Sequence, residues 1–314
     1  MSIWDHIHRH LILGHRLALL TVIESNGSSP GRKGFTMVVD TAGAMTGSIG
    51  GGIMEQKLVE LARSRLIAGN FSPMIKYQVH RKEATHHSGM ICSGEQTVAI
   101  YLLDASHVAL VERIMTSLHS GREGVLELNE SGISFKETKP DSIHPTIILA
   151  ENKWAARLPV GFKNRIYILG GGHVGLALSI AMRQIGFYVE IFDDRSDLNT
   201  MEMNQAAHQK HFIDYRDVGD HIPEGDQTYV AIVSFGYRTD KAVLKTLANR
   251  KYKYLGMMGS EEKVKKVMAE LLEEGVSPQF LNSVHTPIGL PIHSKTPEEI
   301  AVSIAAEIIK LANE

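Results

Sequence analysis

The feature that most limits the possible folds is Gly170-Gly171-Gly172-His173-Val174-Gly175. An apolar run, Ile166 to Leu169, precedes it, and a helical pattern from Val174 to Ile185 follows it. A strand, a glycine turn and a helix in that order form the opening of a dinucleotide-binding unit. The first glycine permits the tight turn, the second lets the backbone approach a pyrophosphate, and the third lets helix and strand pack closely. Phosphate would then rest on unpaired N–H groups at the helix start, where the macrodipole favours negative charge. A second strand, Tyr188 to Phe192, ends in Asp193-Asp194, about twenty residues on. Asp193 is placed to bind a ribose hydroxyl, whereas Arg195 beside it suits a 2′-phosphate, so NAD and NADP both stay open. Gly170, Gly172, His173, Gly175, Asp193, Asp194 and Arg195 are therefore the candidate nucleotide-binding residues. The competing reading is a Rossmann core that binds something else or nothing, because fold alone does not establish a ligand.

Strands and helices keep alternating beyond this point. Tyr229 to Ser234 and Tyr254 to Met257 read as strands, with a helix from Lys241 to Ala248 between them. Ser260 caps a helix to Glu274, and Thr296-Pro297-Glu298-Glu299 is a capping box that starts the last helix. The alternation predicts a doubly wound parallel sheet. The N-terminal half is different. A helix capped by Ser2 is followed by strands at Leu17–Ile23, Thr36–Val39, Met74–Val79 and Gln96–Leu103, a helix from Ile53 to Ile67, and a hairpin around Asn129-Glu130-Ser131-Gly132. The expected fold class is α/β: an N-terminal α+β domain over residues 1–138, a linker at 139–163, and a Rossmann-like domain over 164–314.

Two N-terminal stretches suit close approach to a ligand. Gly47-Ser48-Ile49-Gly50-Gly51-Gly52 is entropically costly and leads into a helix N-terminus. Gly27 to Gly34 forms a second small-residue loop, in which Arg32 and Lys33 suit a phosphate. Glu55 stands in the first turn of the helix, where it complements the dipole. Two tight turns and a helix start would explain the same residues without any ligand. Cys92 sits in a polar loop with His86 and His87. Its spacing to those histidines matches no standard zinc pattern, so no metal site is expected. A sole cysteine is commonly a small buried hydrophobe, but a place beside Ser93-Gly94 favours an exposed thiol.

Composition narrows the partners. A formal charge of -2 gives no electrostatic case for nucleic acid. No apolar run approaches the roughly 18 residues that span a bilayer, and the first residues do not read as a signal peptide. One cysteine excludes an internal disulfide, and together these features point to the cytoplasm. A homodimer is the default oligomer.

The chain resembles the XdhC/CoxI family of molybdenum-hydroxylase maturation factors along nearly its whole length. The matching elements are Gly27-Ser28-Ser29-Pro30, the Gly47 to Gly52 stretch, Glu55, Cys92-Ser93-Gly94, Gly170 to His173 and Phe192-Asp193-Asp194-Arg195. Tyr254-Leu255-Gly256-Met257-Met258-Gly259-Ser260, Pro287-Ile288-Gly289-Leu290 and Thr296 to Ala301 continue the match. It departs where Gly31 separates Pro30 from Arg32, where Ser93 interrupts the usual Cys-Gly-Gly, and where the stretch before Asp240, Ser234-Phe235-Gly236-Tyr237-Arg238-Thr239, holds no histidine. The resemblance implies a protein that binds molybdenum cofactor, a molybdopterin, supports its sulfuration and delivers it to a xanthine dehydrogenase-type molybdenum hydroxylase. A cysteine desulfurase is a further implied partner. On that reading Gly50, Gly51, Gly52, Glu55, Arg32 and Cys92 hold the cofactor. The alternatives are an NAD(P)-dependent oxidoreductase and a nucleotide- or anion-sensing module. His173 lies inside the phosphate turn, a poor place for a hydride-transfer acid, so binding is favoured over catalysis.

Overall fold

The computed structural model describes residues 2–80, 94–138, 147–150 and 153–314. Cys92, His86 and His87 lie outside the described residues. The chain forms two compact units, Met1–Gly161 and Phe162–Glu314.

In the first unit, α1 (Ile3–Ile12) starts at a capping box between Ser2 and Asp5 and buries Trp4, Ile7 and Leu11. The strands β1 (Leu17–Gly27), β2 (Thr36–Asp40), β3 (Met45–Gly47), β4 (Met74–His80) and β5 (Gly94–Leu103) make an antiparallel sheet in the order β3-β2-β1-β5-β4. Central β1 is covered on both faces, which is why Leu17 to Ile23 reads as an almost unbroken apolar run. Ala18, Leu20 and Val22 join the core beneath α2 (Gly52–Ala68) with Leu58, Ala62 and Leu66. Leu17, Leu19 and Ile23 face the other core, with α1 and α3 (Val108–His119).

That second core also receives a four-stranded sheet, β7-β6-β9-β8. It contains β6 (Gly124–Asn129), β7 (Gly132–Glu137), β8 (Ile147–Ala150) and β9 (Lys153–Val160), all paired antiparallel. The expected linker at 139–163 is corrected here, because much of it is sheet. The reason is period-two burial, in which Trp154, Ala156 and Leu158 point into the core while Lys153, Arg157 and Pro159 point out.

The second unit is a parallel sheet of five strands: β10 (Arg165–Leu169), β11 (Tyr188–Asp193), β12 (Gln209–Phe212), β13 (Gly225–Ile232) and β14 (Tyr252–Met257). Their order is β12-β11-β10-β13-β14. The chain leaves β10 toward one edge, then returns to build the other, so its direction reverses between β10 and β13. A doubly wound sheet opens a crevice at that reversal, beyond the carboxyl ends of the strands. On one face α4 (His173–Gln184) and α9 (Pro297–Ala312) share a core with Ile166, Ile168, Val189 and Ala231. Ile304 and Ile308 of α9 are fully buried there. On the other face α6 (Tyr237–Thr246) and α7 (Glu261–Glu273) cover Leu169, Phe192, Val230 and Ile232.

Two residues link the loops of the first unit. A Cβ on Gly31 would lie 2.2 Å from the Ile49 carbonyl oxygen, and one on Gly50 would lie 2.5 Å from the Gly31 nitrogen. The loops therefore touch through bare backbone. Behind them the buried Gln96 amide oxygen accepts from Ser29 Oγ at 2.9 Å and from the Gly31 N–H at 3.2 Å. Its nitrogen donates to Gln78 Oε1 at 2.9 Å and to the Ile49 carbonyl at 3.4 Å. Gln78 in turn donates to the Met54 carbonyl of α2 at 3.1 Å. Removing this amide leaves several buried groups unpaired, each costing about 1–3 kcal/mol. Gln96→Leu is expected to lower stability by about 3 kcal/mol or more in urea unfolding. A loss below about 0.5 kcal/mol would show that the loops do not depend on Gln96.

Candidate functional site

The glycine turn of the second unit follows β10. Gly170 has φ 127°, and a Cβ there would lie 2.6 Å from the Val233 carbonyl oxygen and 2.7 Å from the Ser234 nitrogen. A Cβ on Gly175 would lie 1.9 Å from the Gly170 carbonyl oxygen. Both positions accept only glycine for steric reasons internal to the fold. Gly172 is different. It is the N-cap of α4, has an ordinary φ of -70°, carries no side-chain cap, and a Cβ there would meet nothing within 4 Å. His173, the first helical residue, is exposed. The start of α4 is thus open to an anion.

Asp193, expected to hold a ribose, lies fully buried at the end of β11. Its Oδ2 accepts from the Gly171 N–H at 2.7 Å and from Arg195 Nη2 at 3.0 Å. Its Oδ1 accepts from the Arg195 N–H at 3.0 Å and Nε at 2.9 Å. Burial alone would raise its pKa, but these hydrogen bonds and the Arg195 charge outweigh burial and hold the carboxyl below the usual carboxylate range. Four donors leave this carboxylate no place for a ribose. The sequence carried a signal for this, because Asp214-Tyr215-Arg216 folds into the same Asp-x-Arg clasp through the Arg216 N–H at 2.8 Å and Nε at 3.0 Å.

The neighbouring Asp194 side chain is 50% exposed and faces the crevice. There a cleft of about 190 Å³ is lined by Asp194, Arg195, Tyr215, Ser234, Phe235 and Thr239. Sequence reasoning did not place Tyr215, Ser234, Phe235 or Thr239 at a site. Their one visible signal was position, since Ser234 and Phe235 closely follow a strand end at the reversal of strand order. Ser234 Oγ donates to the buried Asp240 Oδ1 at 2.5 Å, and Lys263 pairs with Oδ2. Burial pushes the Asp240 carboxyl above the usual range, against the pull of Lys263 and Ser234. Ser234 thereby ties the cleft lining to the buried Asp240.

In the first unit, Glu55 does more than complement a dipole. Its Oε2 accepts from Ser48 Oγ at 2.8 Å, the Ile49 N–H at 2.8 Å and the Gly51 N–H at 3.0 Å. Gly50 donates to Ser48 Oγ at 3.1 Å. The turn amides are therefore partly taken by the protein itself. The start of α2 still carries no side-chain cap, Gly52 is exposed, and a Cβ on Gly51 would meet nothing within 4 Å. Arg32 is exposed on the loop that packs against Gly50. Among the described residues no three His, Cys, Asp or Glu side chains converge as a metal group, and no helix is long and apolar enough to cross a membrane.

Comparison with known proteins adds to this geometry. A family model described as the XdhC Rossmann domain matches residues 166–308, and one described as the XdhC and CoxI family matches residues 13–78. The chain is 24% identical over 297 residues to the uncharacterized protein YqeB of Escherichia coli, covering 94% of this chain but only 43% of that protein. It is 23% identical over 313 residues to a probable xanthine dehydrogenase subunit of Bacillus subtilis, covering 93% of this chain and 92% of that one. A crystal structure described as a xanthine dehydrogenase from Bacillus halodurans superposes with a TM-score of 0.74 at 21% identity, covering 100% of this chain and 96% of that one. At that identity the likeness speaks for the fold alone.

The Asp193 clasp has a definite pH signature. Its pKa is depressed in the folded state, so its stabilisation is complete above the unfolded value near 3.8 and is lost as pH falls through the folded value. Asp193→Asn puts a donor where four donors point. The variant is expected to be less stable by about 3 kcal/mol at pH 7, with the gap shrinking below pH ~3.8. Urea unfolding of both proteins at pH 7 and at pH 3 reads this out, and a gap that widens in acid contradicts it.

Proposed function

The chain belongs to the XdhC and CoxI family, and from that premise we propose that it is an accessory factor for a xanthine dehydrogenase-type molybdenum hydroxylase. In this reading it binds molybdenum cofactor, supports its sulfuration with sulfur from a cysteine desulfurase-type partner, and hands it to the enzyme. The second unit binds a nucleotide that accompanies this work. The name of the Bacillus subtilis relative supports the link to xanthine dehydrogenase.

The observation that carries the binding part is a shared design. At both glycine turns a carboxylate of the protein, Glu55 or Asp193, ties down a turn amide. At both, the helix that follows starts with no side-chain cap, beside a glycine facing open space. The turns are held rigid from inside while the helix starts stay available to a phosphate. The N-terminal residues fit a phosphorylated pterin: Gly51 and Gly52 open the start of α2, and Arg32 supplies a cation on the adjoining loop. When bound, the cofactor supplies the molybdenum centre that the client enzyme uses. The residues described here bind and orient it. The sole thiol, Cys92, is the proposed approach to molybdenum or sulfur.

The test pairs two substitutions at surface positions. Arg32→Glu is expected to lower the pterin that copurifies with the protein, and the activity of a coexpressed client enzyme, by about tenfold or more. Gly172→Asp puts a favourable N-cap where no atom stands in the way, so stability holds or rises by up to about 1 kcal/mol. Its carboxylate should abolish nucleotide binding at α4. If both variants keep wild-type pterin, nucleotide and client activity, the two helix starts are not the binding sites.

A further inference from the structure

Phe235 is the most exposed large apolar side chain among the described residues, at 89%. Burying such a ring is worth about 1.5–3 kcal/mol, so its exposure leaves a substantial contact unmade. It does not stand on a neutral surface. It lines the cleft at the reversal of strand order, together with Arg195 and Asp194. The Arg195 guanidinium is held there by two of its own nitrogens on the buried Asp193, which fixes the orientation of its plane. A rigid guanidinium and a solvent-facing phenyl ring in one small cleft suit a planar heteroaromatic ring. The volume, about 190 Å³, suits one ring system rather than a whole dinucleotide.

The glycine turn that leads into α4 lies against the same strand ends as the cleft. The Gly170 backbone lies against Val233 and Ser234, and the Gly171 N–H is bonded to Asp193. Phosphate at Gly172 would therefore bring a nucleoside to the strand ends that carry Asp194 and Phe235. Charge then sets the kind of ribose. Two carboxylates, Asp193 and Asp194, stand beside one guanidinium, and that guanidinium is already engaged with Asp193. A 2′-phosphate would add negative charge beside Asp194, whereas a ribose hydroxyl would find there an exposed acceptor.

We propose that this cleft seats the base of a nucleotide with an unphosphorylated ribose, with Phe235 stacking on the base and Asp194 accepting from the ribose hydroxyl. The assignment rests on the reading of the α4 start as a phosphate seat. It moves the ribose contact from Asp193 to Asp194 and gives the base a partner that the glycine motif does not supply.

The test is calorimetric titration of the full chain with ADP, NAD+ and NADP+. Wild type is expected to bind ADP and NAD+, and to bind NADP+ at least about tenfold more weakly. Phe235→Ala should weaken ADP about tenfold with an unchanged Tm, because the ring stands in solvent. Asp194→Asn should narrow the gap between NAD+ and NADP+. Equal binding of NAD+ and NADP+ by wild type overturns the ribose assignment. Wild-type ADP affinity in Phe235→Ala overturns the base seat, and if Gly172→Asp still abolishes binding, the phosphate seat survives that failure. No ADP binding by wild type overturns the inference outright, while retained pterin and client activation separately decide the accessory role.

Discussion

The buried carboxylate of Asp193 is the contact on which the second unit's working edge depends. It receives the Gly171 N–H from the turn after β10 and three donors from Arg195 after β11. Two loops from adjacent strands are thereby tied at one point. An unpaired charge at that depth would be strongly destabilising, so the clasp holds only while all its donors are in place. What remains outside it is the Gly172 helix start, where a Cβ would meet nothing within 4 Å, and the Asp194 carboxylate on the cleft.

The first unit solves a similar problem with neutral groups as well. Glu55 gathers the amides of the triple-glycine turn, and Gln96 gathers the neighbouring loop and the Ile49 carbonyl. Gln96 uses both ends of its amide at once, as acceptor and as donor, which a carboxylate cannot do. The sheet beneath is apolar on both faces, so this network borders a dry core and its hydrogen bonds are not easily exchanged for water.

Much of this was legible in the residues. The apolar run at Leu17, the capping box at Thr296 and the strand-glycine-helix order at Ile166 are local signals, and each element appears where its signal lies. The misses have physical reasons. β12 is four residues of an edge strand, Gln-Lys-His-Phe, with no alternation to read. β9 sits in the stretch expected to be a linker, and its Pro159 lies near the strand's end, where a lost N–H is tolerated. The inward turn of Asp193 depends on a side chain two residues on, and a ribose contact read from the motif alone cannot register it. The pairing of Gln78 with Gln96 joins two strands and exists only once they lie side by side. The exposure of Phe235 is a property of the folded surface, not of its neighbours in the chain.

The backbone contact between Gly31 and Gly50 has a consequence for how such a protein can change. The Gly94 segment presses just as closely on the same region, with a Cβ position 2.3 Å from the Ser29 nitrogen. The loop from Ser28 to Gly31 is thus pressed by backbone contact from two separate stretches of chain. Lengthening or exchanging that loop alone would collide with both. Grafts from relatives, and natural drift, would have to treat the three segments as one inherited part.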